Sequence, residues 1–102
     1  MDELEEFLDL VESDTVSVNT LFDVLRAERR RYVLSTLQSH ETSMSLTDLA
    51  HEVAKRENGE ASPTTEAVTR VHASLYHVHI PKLKEANIIE YDQERRIVQH
   101  KL

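Results

Sequence analysis

Between Thr69 and Lys84 a set of polar and small residues recurs at helical spacing: Thr69, Arg70, Ala73, Ser74, His77 and Lys84. All of them fall off the apolar stripe of the same segment, with Thr65 one turn earlier. Hydroxyls can bond phosphates and base edges, an arginine can read guanine, and small residues let a helix backbone approach a groove wall. The competing reading of the same residues is a solvated helix face. A second feature is the basic pair Arg95-Arg96, at the end of the polar turn Asp92-Gln93-Glu94-Arg95. An arginine pair at a hairpin tip can reach backbone phosphates or a narrow minor groove. It can equally keep an edge strand soluble.

Other constellations are weaker. Arg29-Arg30-Arg31, with Arg26 one turn away, reads either as a phosphate clamp or as a set of salt-bridge donors to Glu28 and the acidic N-terminus. Six histidines raise the question of a metal. His77 and His79 lie about 200° apart on a helix, and His72 and His79 are separated by about 10.5 Å of rise, so neither pair chelates one ion. No metal site and no cofactor are expected. The chain has no cysteine, no glycine-rich phosphate loop and no nucleophile elbow, so an enzyme is not expected either.

The elements that would position these residues are legible from periodicity. Leu21, Phe22 and Leu25 are expected to face inward from a first helix capped by Asn19. That helix breaks near Ala27 and restarts, because Glu28 to Arg31 interrupts the stripe before Tyr32, Val33 and Leu37 resume it. Ser45-Leu46-Thr47-Asp48 has a capping-box pattern, followed by Leu46, Leu49, Ala50, Val53 and Ala54 on one stripe. Asn58-Gly59 ends this second helix; Gly59 is the only glycine and suits a left-handed terminus. Ser62-Pro63 marks the next start. A long third helix then carries Val68, Val71, Leu75, Tyr76, His79, Ile80, Leu83 and Ala86 as one stripe. Pro81 interrupts it, predicting either a kink near His77–Pro81, which the unbroken phase favours, or a new helix with the proline in its first turn. Ile88–Tyr91 and Arg96–Gln99 form a closing β-hairpin. The fold class expected is mainly α with a small β-hairpin.

Residues 1–18 form a separate unit, an acidic amphipathic helix and linker. They hold seven acids and no base, while residues 19–102 hold twelve of each, so the net charge of −7 belongs to the appendage. Leu4, Phe7, Leu8 and Val11 make a stripe too short to be stable alone. It is read as a dimerisation element, or as a docking element for a protein partner. No run is long enough for a membrane span, no signal pattern opens the chain, and a cytoplasmic location is expected. Eight arginines against four lysines, many acids and few large aromatics fit a salt-adapted protein and an ordinary acidic one alike.

The stretch from Leu21-Phe22-Asp23-Val24-Leu25 through Arg29–Leu34 resembles the opening helix of ArsR-like winged helix-turn-helix repressors. Ser45–Ala50 resembles their second helix, and His79-Ile80-Pro81-Lys82-Leu83-Lys84-Glu85-Ala86-Asn87-Ile88-Ile89 resembles the end of their recognition helix entering the wing. With Leu75-Tyr76-His77-Val78-His79, the match is similar to small winged-helix proteins of halophilic archaea. The resemblance implies a winged helix-turn-helix domain over residues 19–102 and a homodimeric, sequence-specific transcriptional regulator of double-stranded DNA. It places base contacts near Ala73, Ser74 and His77. Two departures accompany it: the metal-sensing cysteines are missing, and Glu60–Arg70 is longer than the usual turn. The alternative is a winged-helix module that binds protein and not DNA.

Overall fold

The computed structural model describes residues 17–40, 43–59 and 62–101. The calls on Leu4, Phe7, Leu8 and Val11 therefore lie outside the described residues. The first helix, α1, runs Val18–Arg26, and its cap is Ser17, whose hydroxyl accepts from the Thr20 amide at 3.1 Å. The expected Asn19 cap is thus two residues late. Ala27 adopts extended backbone and breaks the helix as the sequence predicts; α2 follows over Glu28–His40.

Met44–Ser45 form a short strand, β1, absent from the sequence-based expectations because two residues carry no alternation pattern. Ser45 then caps α3 (Leu46–Asn58), accepting from the Asp48 amide at 3.0 Å. Gly59, at φ 65°, closes α3 in the left-handed region where a Cβ is costly, with its amide on the Lys55 carbonyl.

The next helix starts on Thr64, whose hydroxyl accepts from the Ala67 amide at 3.1 Å, one residue beyond the expected Ser62-Pro63 start. It runs as α4 (Thr65–Ser74), widens into a π-turn over Leu75–His79, and continues as α5 (Ile80–Glu85). Pro81 therefore sits in the first turn of α5, directly after the widened turn. The outcome lies between the two expectations: the backbone stays helical, and a change of helix type meets the proline. A proline ring collides with the carbonyl four residues back in a regular helix, and a π-turn is one way to displace that carbonyl. The C-terminus of α5 is a Schellman closure. Asn87 takes φ 66°, its amide bonds the Lys84 carbonyl, and the Ile88 amide bonds the Leu83 carbonyl. Leu83 and Ile88, the apolar pair of that motif, are both fully buried.

β2 (Ile89–Asp92) and β3 (Ile97–His100) form the expected hairpin, with Tyr91 opposite Val98. β1 adds to the far side of β3, with Met44 opposite Val98, so the antiparallel sheet has the order β1-β3-β2. The core lies between this sheet and the helices. Val33, Leu34 and Leu37 of α2 meet Leu46, Leu49 and Val53 of α3, Leu75, Ile80 and Leu83 of the long helix, and Ile88, Ile89 and Val98. The fold is mainly helical with a small antiparallel sheet. Among the described residues no helix is long and apolar enough to cross a membrane.

Two inward assignments are corrected. Phe22, expected in the core, is 66% exposed, while Leu21, as expected, and Val24 bury the inner side of α1. Tyr76, expected in the long stripe, is 39% exposed.

Candidate nucleic-acid interface

Local sequence explains how the long helix presents its polar face. Thr64 anchors the first turn, Val71 and Leu75 bury the inner side, and α4 packs along α3. Thr69, Arg70, Ala73, His77 and Lys84 are left exposed, while Ser74 is half-buried. The sequence-predicted helix positions therefore share the outer surface, with Ser74 at its margin. Lys84 is separated from the others by the π-turn.

The turn between β2 and β3 is built by Asp92, whose Oδ1 accepts from the amides of Glu94 and Arg95, each at 3.1 Å. This local carboxylate cap closes the loop without a glycine. Arg96 takes φ 55°, a left-handed conformation that is unfavourable for a residue with a Cβ. Its carbonyl accepts from the Leu46 amide at 2.9 Å, which ties the turn to the N-terminus of α3. Both arginine side chains are exposed. Tyr91 lies within electrostatic reach of Tyr76 on the long helix and of Arg96 in the turn. Burial, then Tyr76, raises its phenol above the usual range, while Arg96 pulls the other way.

The distribution of paired and unpaired cations separates this surface from the rest. Arg29 grips Glu57 with two bonds, at 2.5 and 2.7 Å, and the hydrogen bond to that carboxylate raises the guanidinium above its ordinary pKa. Arg30 is 7% exposed and donates to the carbonyls of Val24 at 2.9 Å and Asp23 at 3.0 Å. Arg31 donates to the carbonyls of Leu25 and Arg26. The basic run is thus a cap for the orphan carbonyls that end α1, plus one ion pair, and not a phosphate clamp. Arg26 and Lys82 both pair with Asp23, Lys55 pairs with Glu52, Arg56 donates to Ser35, and Lys101 donates to Asn87. The side chains of Arg70, Lys84, Arg95 and Arg96 make no hydrogen bond or ion pair among the described residues.

Two residues of this surface escaped the sequence reading. Tyr76 and Val78, the latter 51% exposed, flank His77 on the π-turn, and the Tyr76 ring stands edge-on to His77 with centroids 5.0 Å apart. A regular helical period misplaces Tyr76. The available signal was Pro81, which marks this segment for irregular helix geometry. Among the described residues no group of three or more His, Asp or Glu could hold a metal ion.

No curated protein and no solved structure matches the chain. One family model, described as a domain of unknown function (DUF7344), matches residues 22–99. That match runs from within α1 to within β3 and includes every position of the polar surface described above, and the chain belongs to this DUF7344 family.

Proposed function

We propose that this chain is a winged helix-turn-helix protein that binds double-stranded DNA as a cytoplasmic, homodimeric transcriptional regulator and is not an enzyme. In this reading α3 and the α4–α5 helix form the helix-turn-helix. The long helix enters the major groove, and the β2–β3 turn is the wing. The observation that carries it is the set of four cations, Arg70, Lys84, Arg95 and Arg96, that make no hydrogen bond or ion pair among the described residues and are divided between the helix and the wing, while the other eight Lys and Arg side chains are engaged within the protein. Unpaired exposed arginines and lysines are what phosphate and base-edge contacts require. The left-handed Arg96 adds to this, because a glycine or asparagine would fit the turn better and only the arginine brings a charge.

Binding to random-sequence duplex DNA, followed by selection and footprinting of the enriched site at low and high salt, tests the reading. A selected site, with affinity falling steeply as salt rises, is expected. In a salt-loaded cell the remaining affinity would lean on base contacts and ordered water. No enrichment and no duplex binding at low salt would refute it. The exposed Tyr76 and Val78 favour a second reading, a protein-binding module on the same surface.

A further inference from the structure

The inner edge of the π-turn meets a cation. Nδ1 of His79, the last residue of that turn, lies 3.3 Å from Nη1 of Arg30. A guanidinium has no lone pair to offer, so the contact forms only with a neutral ring that accepts. Arg30 is pinned where it stands. It is 7% exposed, and its Nε and Nη2 hold the carbonyls of Val24 at 2.9 Å and Asp23 at 3.0 Å. His79 itself is half-buried and joins the exposed Val78 to the buried Ile80.

The charged groups facing the ring come from three helices: Arg30 and Arg29 from α2, Glu57 from α3, and Lys82 from α5. Glu57 is the one acid of this set, and Arg29 occupies both its oxygens, at 2.5 and 2.7 Å. Asp23, the next carboxylate along, is shared by Lys82 at 3.7 Å and Arg26 at 3.9 Å. An imidazolium formed here would face three cations and no unengaged carboxylate among these groups.

We infer that His79 is a proton-operated latch on the outward surface of the long helix. Neutral, the ring ties the π-turn to α2 through Arg30. Protonated, the ring swings to solvent because Arg30 cannot move, and Tyr76, His77 and Val78 lose the tie that sets their direction. Leu75 and Ile80 stay in the core, so the change is confined to the turn. The latch is independent of DNA, while its consequence rests on the DNA-binding reading above. The latched surface is the one that binds, so acid weakens the complex, and by reciprocity bound DNA makes His79 harder to protonate.

NMR of the protein alone tests the latch in His77→Gln, where His79 is the one histidine left in the turn. Two changes are expected along the His79 titration. The ring loses its Overhauser contacts to the Arg30 side chain, and the Cα shifts of Tyr76 and Val78, which report backbone angles, move with it. A ring that titrates and keeps its Arg30 contacts overturns the latch. Binding of the selected duplex tests the consequence. From about pH 7.5 to about pH 5.5 the parent should lose affinity about fivefold or more relative to His79→Gln. The glutamine can still accept from Arg30 but takes up no proton. Equal pH dependence in the two proteins overturns the coupling to DNA. No duplex binding at either pH refutes the regulator reading, and the Overhauser contacts then decide the latch by themselves.

Discussion

Leu75 and Ile80 stand five residues apart, both fully buried, and are joined by a bond from the Ile80 amide to the Leu75 carbonyl. In a regular α-helix that spacing would set them about 140° apart, and one would leave the core. The π-turn brings both onto the inner face and pushes Tyr76, His77 and Val78 outward.

The inserted residue can be removed to test this geometry. Deleting the exposed Val78 restores an i, i+4 relation between the two core residues. The fold is expected to survive, with loss of DNA binding because His77 and Lys84 change their relative angle. A variant that fails to fold by circular dichroism would show that the π-turn is needed for stability itself.

Arginines of the two classes should respond differently to truncation. Arg30→Ala strips donors from two carbonyls at the end of α1 and is expected to cost about 2–3 kcal/mol in urea unfolding. Arg70→Ala, and Arg95→Ala with Arg96→Ala, are expected to change stability by about 0.5 kcal/mol or less and to weaken DNA binding. Each lost phosphate contact should lower the salt slope by about one unit. Equal unfolding midpoints for Arg30→Ala and Arg70→Ala would contradict the division of roles.

Arg96 offers a sharper separation of stability from binding. Arg96→Gly relieves the left-handed backbone and should raise stability by up to about 1 kcal/mol, offset in part by the freedom glycine gains when unfolded. The same variant should bind DNA more weakly. A loss of stability would mean that the arginine side chain supports the turn.

His79 supplies a pH dependence. Its Nδ1 lies 3.3 Å from the Arg30 guanidinium, which has no lone pair, so Nδ1 accepts and the ring is neutral. Burial first, then the charges of Arg30 and Arg29 with Lys82 adding, hold its pKa below the usual 6.5, while Glu57 acts in the opposite sense. A histidine with a lowered folded pKa binds its proton less tightly folded than unfolded. Its contribution to stability is therefore complete above the unfolded value of about 6.5. It is lost as the pH falls from there through the folded value. Urea midpoints should drop across this window, and His79→Gln should flatten the drop. An unchanged profile in that variant would assign the acid sensitivity elsewhere.

Much of the frame follows from local chemistry. Ser45 and Gly59 bound α3 because a hydroxyl cap and a left-handed terminus need only neighbouring backbone. The break at Ala27 and the hairpin were legible for the same reason, since period and turn chemistry act over a few residues. The tertiary structure decided the rest. Phe22 fits an inward stripe by spacing, but burial depends on whether another surface reaches that flank, and among the described residues none does. Met44–Ser45 is too short to carry a strand pattern and pairs because β3 lies beside it. Arg29, Arg30 and Arg31 look alike in sequence, yet each was assigned by what the fold brought to it: a carboxylate from α3, or carbonyls left unbonded where α1 stops. Pro81 announced an irregularity, but a kink, a new helix and a widened turn all answer a missing amide. The widened turn is the one of the three that keeps Leu75 and Ile80 together in the core.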